Sequence, residues 1–268
     1  MVALKEGVAI VTGGGSGMGL GIARRFAELG TKVVVVGRTA GKIEDVVAEI
    51  CRSGGQAIAC AGDVSREEDV AYMVDTALSH FGRLDFAANV AGTAHAPKLL
   101  HTLSLQEFED DHAVNSRGVF LSMKYQIPAM IRSGGGAIVN VTSGSALGGF
   151  AYFSAYCAAK HAAAGLTRSA ALEYADKGVR VNSVAPGAIA TPMLQRNPAE
   201  ITEPIRTSIP MQRFGTMDEI AAATVWLCSD EASYVTGQIL PVEGGYTASC
   251  LTVTAPPGTQ YDTYQGAH

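Results

Sequence analysis

Short runs of apolar, often β-branched residues alternate along the chain with longer segments in which apolar positions recur at helical spacing. The short runs predict seven β-strands, at Val8–Val11, Lys32–Val36, Ala57–Ala61, Leu84–Ala88, Ala137–Val141, Arg180–Ala185 and Gln238–Val242. The longer segments predict helices at Gly17–Leu29, Lys42–Cys51, Glu67–Phe81, Ser116–Ile131, Ala155–Ala175 and Asp218–Cys228. Most of the short runs are continuously apolar, which is typical of strands covered on both faces. The alternation therefore predicts one α/β domain with a doubly wound, seven-stranded parallel sheet and helices on both faces.

Composition narrows the class of protein. The 268 residues are 47% hydrophobic and 17% charged, with a net charge of −5, which excludes a disordered chain. No apolar run approaches the ~18 residues of a membrane span, and the N-terminus lacks the pattern of a secretory signal. The chain has no Lys/Arg cluster for nucleic acid, and its five cysteines form no CxxC pair. We therefore expect a reduced, cytoplasmic protein that binds no metal, nucleic acid or membrane.

A glycine-rich loop lies between the first predicted strand and the first predicted helix. It reads T-G-x-x-x-G-x-G over Thr12–Gly19 and matches neither the strict G-x-G-x-x-G pattern nor a Walker loop. Glycines let a ligand approach the backbone, and the N-terminus of the following helix favours a pyrophosphate. The sequence thus predicts a dinucleotide site. The loop residues expected to contact the dinucleotide are Gly13, Gly15, Ser16, Gly17, Met18 and Gly19.

The end of the second predicted strand bears on which dinucleotide binds. An acidic residue there would bind the adenosine 2′-hydroxyl of NAD, but Arg38 and Thr39 occupy the position. An arginine can pair with the 2′-phosphate of NADP, so NADP(H) is favoured and NAD(H) stays open as the alternative. Asp63 and Val64 follow the third strand. The Asp63 carboxylate is expected either to face the adenine or to cap the next helix.

Three side chains indicate proton-transfer chemistry. Tyr156 and Lys160 are four residues apart, which places a phenol and an ammonium on one face of a predicted helix. Ser143 lies just after the predicted strand Ala137–Val141. Ligands of open α/β sheets bind outside the carboxyl ends of the strands, where both Ser143 and the glycine-rich loop are expected.

Together these motifs resemble the classical short-chain dehydrogenase/reductase family, from about Lys5 to Gly245. The residues that carry the resemblance are Thr12–Gly19, Asp63, Asn89, Val90, Ala91, Gly92, Asn115, Ser143, Tyr156, Lys160, Pro186, Gly187 and Thr191. Val90 and Glu243 depart from the family, which commonly has Asn and Asp at these positions. The resemblance implies a Rossmann fold, a nicotinamide cofactor and a homotetramer packed partly through the Tyr156 helix, where small residues are frequent.

The resemblance also implies the roles of the catalytic residues. Tyr156 would be the general acid and base, and Ser143 would hold the substrate oxygen against it. Asn115 would anchor a water between Lys160 and solvent, although an isolated Asn is also a common helix cap. Lys160 would bind the nicotinamide ribose. Lys160 and the positive ring of the oxidised cofactor would lower the pKa of Tyr156 by roughly three pH units.

The remaining residues expected at the cofactor follow strands four and six. Pro186 and Gly187 would back the nicotinamide ring, and Thr191 would reach its carboxamide. The full set implied beyond the glycine-rich loop is Arg38, Thr39, Asp63, Val64, Asn89, Ala91, Gly92, Tyr156, Lys160, Pro186, Gly187, Ile189 and Thr191.

Segments around the reacting groups predict the substrate site. Residues 192–211 form an apolar insertion that is typically a lid in this family, and the opposite wall is expected from His95–His101 and Leu147–Phe153. The pocket residues are Ser145, Leu147, Phe153, Met193 and Leu194. His95 and His101 lack a partner at ligand spacing and are expected at the surface.

These features predict an NADP(H)-dependent oxidoreductase for a modest hydrophobic ketone or secondary alcohol, within a catalytic domain at residues 1–246. Two alternatives stay open: a 3-oxoacyl-thioester reductase that docks an acyl carrier protein, and a non-catalytic dinucleotide-binding regulator. The polar tail at residues 247–268 is either a loose terminus or an arm on a neighbouring subunit.

Overall fold

The computed structural model describes Leu4, residues 6–195 and residues 198–248. Within this part of the chain, seven strands form one sheet in the order β3-β2-β1-β4-β5-β6-β7, and all paired strands are parallel. The strands are β1 Val8–Thr12, β2 Lys32–Gly37, β3 Ala57–Ala61, β4 Phe86–Asn89, β5 Gly136–Val141, β6 Val179–Pro186 and β7 Ile239–Val242. This is the doubly wound Rossmann arrangement that the sequence predicts.

Nine α-helices are described in the same residues. They are α1 Gly17–Glu28, α2 Ala40–Arg52, α3 Glu67–Phe81, α4 Leu105–His112, α5 Gly118–Arg132, α6 Ser154–Tyr174, α7 Pro192–Gln195, α8 Ala199–Ser208 and α9 Met217–Cys228. No helix among the described residues is long and apolar enough to span a membrane. The described residues also contain no group of three His, Cys, Asp or Glu side chains arranged to hold a metal ion.

The continuously apolar strands serve two cores, one on each face of the sheet. Successive residues of β1 illustrate this, because Val8 and Ile10 belong to one core, whereas Ala9 and Val11 belong to the other. The first core is closed mainly by α3, α5 and α6, and the second by α1, α2 and α9. Residues of a strand alternate between faces, so burial on both faces requires apolar residues at every position.

Each predicted strand and helix is confirmed, with ends that shift by at most two residues, and three further helices, α4, α7 and α8, were not predicted. The predicted helix Ser116–Ile131 is preceded by the unpredicted α4, and a π-helical turn at Ala113–Arg117 joins α4 to α5. Ser104 and Glu107 form a capping box that starts α4. The capping box is a sequence signal for the start of a helix. The apolar residues that follow do not indicate a helix, because Leu105 and Phe108 are exposed and α4 has no buried apolar stripe.

The order in which successive strands join the sheet reverses between β1 and β4, which places a crevice at the carboxyl ends of these two strands. β1 continues into the glycine-rich loop, and β2 on its other side ends at Gly37. β4 and β5 end nearby at Asn89 and Val141. Ligands of such sheets bind at this reversal. The fold therefore brings the predicted dinucleotide loop and the predicted proton-transfer residues to one edge.

Candidate active site

The glycine-rich loop is shaped by close backbone approaches. Gly13 and Gly17 have φ values of 66° and 55°, in the left-handed region. A Cβ atom on Gly13 would lie 3.0 Å from the Ala91 backbone nitrogen, and one on Gly19 would lie 2.2 Å from the Gly13 carbonyl oxygen. The loop therefore tolerates no side chain at Gly19, and it packs against the segment that follows β4.

The N-terminus of α1 faces the resulting cleft. Its N-cap residue Ser16 makes no side-chain capping hydrogen bond, so the first backbone N–H groups of α1 are not satisfied by a side-chain cap. The cleft measures about 520 Å³. It is lined by Gly13, Gly15, Ser16, Gly17, Met18, Gly19, Val36, Gly37, Arg38, Thr39, Lys42, Ile43, Gly62, Asp63, Val64, Val90, Ala91, Gly92, Thr93, Val114, Thr191 and Pro192. An uncapped helix N-terminus against a glycine cradle fits a dinucleotide pyrophosphate.

Two cations lie at the end of the cleft beside β2. The Arg38 side chain is 75% exposed, and its guanidinium lies 4.0 Å from the Asp63 carboxylate. Lys42, in the first turn of α2, also lines the cleft and was not predicted. Its signal was available, because Lys42 lies four residues after Arg38 in a segment that starts a helix. Both side chains can meet an anionic group in this part of the cleft.

Asp63 organises the turn before α3 and does not cap that helix. Its carboxylate accepts hydrogen bonds from the backbone N–H and the hydroxyl of Ser65, at 2.9 and 2.8 Å. The N-cap of α3 is Arg66, so the helix-cap reading of Asp63 is wrong. The hydrogen bonds to Ser65 and the charge of Arg38 outweigh partial burial and lower the pKa of Asp63. The carboxylate therefore stays ionised at the edge of the cleft.

Two residues expected at the cofactor have buried side chains with other partners, and a third, Gly187, is explained by packing of the backbone. The Asn89 amide donates to Gln126 and Asn140 in the core at 3.1 and 2.9 Å, so this amide does not face the cleft. The Ile189 side chain is buried in the second core. A Cβ on Gly187 would lie 2.7 Å from the Cβ of Glu243, so the need for glycine there is set by the contact between the ends of β6 and β7.

The three proton-transfer residues assemble at the end of β5. Ser143 follows β5 directly, and Tyr156 and Lys160 come from the first two turns of α6. The Tyr156 phenol interacts with the Ser143 side chain. The Lys160 ammonium is buried, donates to the Val141 carbonyl at 3.1 Å and lies 5.6 Å from the centroid of the Tyr156 ring. The predicted helix face and strand end are thus confirmed as neighbours.

The electrostatics of this group bear on the predicted pKa of Tyr156. Burial raises the pKa of the Tyr156 phenol, the interaction with the Ser143 side chain lowers it, and the Asp111 carboxylate raises it. Burial lowers the pKa of Lys160 to about 8, and Asp111 acts in the opposite direction. The predicted lowering of the phenol pKa involves the positive ring of the oxidised cofactor as well as Lys160, so it stays a prediction. The net effect of these groups is to keep the phenol protonated.

Asn115 lies in the π-helical turn, not at a helix end, so the cap reading is wrong. Its amide nitrogen donates to the backbone carbonyls of Thr93 and Asp111, at 2.8 and 2.9 Å. A Cβ on Gly92 would lie 3.0 Å from the Asn115 Oδ1 atom and 3.5 Å from the Lys160 Nζ atom. Gly92 thus leaves open the space between the amide oxygen and the ammonium.

Part of the predicted substrate wall is described. Ser145 is buried, and its N–H donates to the Ser143 hydroxyl at 3.1 Å, so Ser145 fixes the position of Ser143. Leu147 is exposed, and Phe153 packs against the His95 ring with centroids 5.8 Å apart. The Leu194 N–H lies 3.4 Å from the Thr191 hydroxyl. The Met193 side chain lies outside the described residues.

The described residues also include His95, His101 and the start of the tail. His101 is exposed as predicted, but the prediction of a surface position for His95 is wrong, because its side chain is 4% exposed and contacts Asp111. Tyr246 stacks on Phe150 of its own chain with centroids 5.6 Å apart. The first tail residue, Thr247, donates its backbone N–H to the Glu243 carboxylate at 2.8 Å, whereas residues 249–268 lie outside the described part.

Comparisons with known proteins agree with this geometry. A family model described as enoyl-(acyl carrier protein) reductase matches residues 13–247. The solved structure of a short-chain type dehydrogenase/reductase from Mycobacterium marinum has a TM-score of 0.87 at 32% identity, over 92% of this chain and 98% of that chain. The chain belongs to the short-chain dehydrogenase/reductase family.

Two other members show the chemistry of this dehydrogenase/reductase at a coarse level. Cyclohexanol dehydrogenase from Acinetobacter sp. strain SE19 is 42% identical over 242 residues, which are 90% of this chain and 95% of that protein. A 7α-hydroxysteroid dehydrogenase, solved with NADH and 7-oxo glycochenodeoxycholic acid, has a TM-score of 0.87 at 37% identity, over 91% of this chain and 95% of that chain. The protein is an enzyme that acts on secondary alcohols or ketones with a nicotinamide dinucleotide. The reading as a non-catalytic regulator is wrong.

The buried ammonium of Lys160 is expected to lower the stability of this dehydrogenase/reductase. A pKa lowered from 10.5 to about 8 means that the folded state disfavours the charged form by about 3 kcal/mol. The unfolded chain binds this proton more tightly, so the penalty is full below about pH 8 and disappears as pH rises through 10.5. Lys160→Met should therefore raise the free energy of unfolding at pH 7 by about 1–3 kcal/mol, after loss of the bond to Val141.

Urea unfolding at pH 7 and at pH 10 measures this effect, and the gain of Lys160→Met should shrink at the higher pH. Lys177→Met is the matched control, since Lys177 is exposed at the far end of α6 and donates to the Glu173 carbonyl. An equal gain in both variants would contradict the burial argument.

Proposed function

We propose that this enzyme interconverts an alicyclic secondary alcohol and its ketone with NADP(H), and that Tyr156 is the general acid and base. The observation that carries the proposal is the convergence of Tyr156 and Ser143, whose interaction lowers the pKa of the phenol, beside the buried Lys160 and next to the dinucleotide cleft. Acid and orienting hydroxyl thus converge where a substrate oxygen can accept hydrogen bonds from both.

The chain's own residues account for the proton and the orientation. In the direction of reduction, Ser143 donates a hydrogen bond to the substrate oxygen, and Tyr156 transfers its proton to that oxygen. Lys160 would hold the ribose hydroxyls of the bound cofactor. Protons would pass between Lys160 and solvent through a water held by Asn115. Bound NADP(H) supplies or accepts the hydride. A phenol that its surroundings keep protonated is ready for reduction at neutral pH, whereas oxidation requires positive charge from the oxidised cofactor to form the phenolate.

The preference for NADP(H) rests on the two cations beside β2. Arg38 is mostly exposed and Lys42 lies one helical turn further on, so both can pair with a 2′-phosphate. The carboxylate expected for NAD at the tip of β2 is absent among these described residues, because Arg38 takes its place. The related 7α-hydroxysteroid dehydrogenase carries NADH in its structure, so the preference is tested directly below.

The substrate class rests on the walls and on the relatives. Phe150, Tyr246 and Phe153 provide flat apolar surfaces near Ser143 and Tyr156. Such surfaces suit a saturated ring better than a charged metabolite. The two relatives described above are named for a cyclohexanol and a hydroxysteroid, both of which are alicyclic secondary alcohols.

The 3-oxoacyl-thioester reductase is the second candidate, because the matching family model is described by an acyl-carrier-protein substrate. Turnover of NADPH and NADH with cyclohexanone, a 7-oxo steroid and an acetoacetyl thioester separates the two candidates. Faster turnover of the cyclic ketones supports our proposal. Faster turnover of the thioester, or turnover of none of them, would overturn it.

Arg38→Asp should reverse the cofactor preference. Loss of a charge-assisted hydrogen bond costs about 1.5–3 kcal/mol, so affinity for NADPH should fall roughly 10- to 100-fold. Affinity for NADH should rise, since an aspartate can accept from the 2′-hydroxyl. Fluorescence titration with both cofactors measures the effect, with Arg66→Asp as a control cation outside the cleft. A wild-type enzyme that already prefers NADH would defeat the Arg38 argument.

Three structural parts of the proposal concern residues 192–211, the tail and the assembly. The segment 192–211 contains α7 and α8, and we propose that it covers the bound substrate.

An outward face of α6 exposes Ala158, Gly165 and Leu172, of which Leu172 is 86% exposed. We propose that this face packs in a homotetramer, with the tail 249–268 on a neighbouring subunit, and light scattering would overturn the assembly by finding a monomer.

A further inference from the structure

The mostly exposed helix α4 carries one buried acid, Asp111, whose charge acts on Tyr156 and Lys160. Asp111 is 1% exposed, whereas most of α4 faces solvent. Burial of an unpaired carboxylate is costly, so its presence calls for a partner. The partner is His95 from the loop after β4, whose Nδ1 atom lies 2.6 Å from an Asp111 carboxylate oxygen. The two side chains are 4% and 2% exposed.

The imidazole of His95 connects three parts of the chain. Its second nitrogen, Nε2, lies 3.2 Å from the Tyr152 carbonyl oxygen, which also accepts from the Lys98 backbone N–H at 3.0 Å. The face of the ring contacts Phe153. Tyr152 has a φ of 69°, in the left-handed region that costs energy for a residue other than glycine. The histidine therefore holds the strained entry to α6, three to four residues before Tyr156.

Asp111 is also joined to the proton-transfer residues. Its backbone carbonyl accepts from the Asn115 amide at 2.9 Å. Its negative charge acts on both Tyr156 and Lys160, and it raises the pKa of each. Asp111 therefore contributes negative charge at both proton-transfer residues.

Other charged and titratable groups near α4 have partners of their own. Lys98 and Glu107 form an ion pair, with side chains that are 40% and 28% exposed. The His112 ring packs on Phe108, with centroids 4.3 Å apart. On α6, His161 contacts the Cys157 carbonyl at 2.9 Å. Asp111 contacts His95, and its charge acts on Tyr156 and Lys160.

We propose that His95 and Asp111 are a buried positioning pair, which fixes the entry of α6 and sets the electrostatic charge beside Tyr156 and Lys160. The pair acts through Tyr156 and makes no contact with substrate. The kinetic consequences rest on the proposed function, whereas the ionisation of Tyr156 can be measured without turnover. The pair is an addition to the four catalytic residues that the family resemblance implies.

The first experiment is a spectroscopic titration of the full-length protein. Tyrosinate absorbance is recorded against pH for Asp111→Asn and for Asp110→Asn, an exposed neighbour on α4, each with and without Tyr156→Phe. The difference within each pair isolates Tyr156 among the nine tyrosines. Removal of a nearby negative charge should move the Tyr156 transition to lower pH by roughly 0.5–1 unit in Asp111→Asn only. Superimposable curves for the two carboxylate variants would overturn the electrostatic role.

The second experiment is kinetic and tests positioning. Both pH limbs of alcohol oxidation should move to lower pH in Asp111→Asn, with kcat reduced about tenfold and KM nearly unchanged. His95→Gln should lower kcat similarly, while His101→Gln, at an exposed histidine of the same loop, should not. Because the pair is in contact, the double variant should lose little beyond either single one. Strictly additive losses, or a large rise in KM alone, would overturn the positioning role.

The two arms separate this proposal from the function on which it rests. If the wild-type enzyme turns over none of the cyclic substrates, the proposed function fails, yet the titration still decides whether Asp111 acts on Tyr156. Circular dichroism at each pH and thermal melting identify a variant that fails to fold. In that case Asp111→Glu, which keeps the charge, should restore the wild-type Tyr156 transition.

Discussion

Tyr156→Phe is expected to reduce turnover by about 10²–10⁴-fold, the usual contribution of a positioned general acid or base. The substitution removes the phenol oxygen, which interacts with the Ser143 side chain, and it keeps the aromatic ring. In reduction, the substrate oxygen then has no acid in contact with it. Since the buried Lys160 donates to the Val141 carbonyl, it is not placed to donate the proton instead. The loss should therefore appear in kcat.

Binding of NADPH should survive the same change, because the glycine-rich loop and Arg38 are untouched. Steady-state rates with cyclohexanone, together with NADPH fluorescence titration, measure both effects. Tyr152→Phe is the matched control: Tyr152 is four residues upstream and 55% exposed, and only its backbone carbonyl contacts His95. Near-wild-type rates in Tyr156→Phe would refute the proposed mechanism, whatever the substrate.

Most of the fold follows from the sequence, because burial on both faces of a parallel sheet leaves a strong signal. Strands such as Val33–Val36 are apolar at every position, and each is followed by a turn and an amphipathic helix. The assembly of Ser143 and Tyr156 is also predictable, since both lie near the carboxyl end of one strand. Order along the chain and the rule for parallel sheets are sufficient for that inference.

Other parts of the site depend on contacts between distant segments. His95 and Asp111 are separated by 16 residues, and neither carries a pattern that predicts a buried pair. Asn89 lies in a segment shared with the family, yet its amide is bound in the core by Gln126 and Asn140. The pKa of Tyr156 depends on burial and on Asp111, which no spacing between residues reveals. Tertiary packing therefore decides which polar residues face the ligand.

Gly19→Ala is expected to abolish cofactor binding. The added Cβ would lie 2.2 Å from the Gly13 carbonyl oxygen and 2.6 Å from its carbonyl carbon, and backbone atoms cannot rotate away as a side chain can. The loop must therefore shift against α1. Overpacking of this kind costs about 1–3 kcal/mol of stability. Because the displaced atoms form the cradle for the pyrophosphate, NADPH affinity should fall at least about 100-fold, equivalent to about 2.7 kcal/mol.

Thermal melting with and without NADPH measures both effects. Ligand at about 100 times its Kd adds about 2.7 kcal/mol of stability, so wild-type protein should melt at a higher temperature with NADPH, and Gly19→Ala should not. Gly41→Ala is the control, since a Cβ there meets nothing within 4 Å and α2 gains a better helix former. It should keep the ligand shift and raise stability by about 0.5–1 kcal/mol.

Gly17→Ala provides an intermediate case if Gly19→Ala fails to fold. Its added Cβ meets only the Thr191 side chain, at 3.6 Å, but its φ of 55° is unfavourable for alanine. We expect a folded protein with a reduced shift, because the strain of roughly 1 kcal/mol falls on the turn that directs the N-terminus of α1 at the ligand. A full NADPH-induced shift in both Gly17→Ala and Gly19→Ala would show that the cofactor does not bind in this loop.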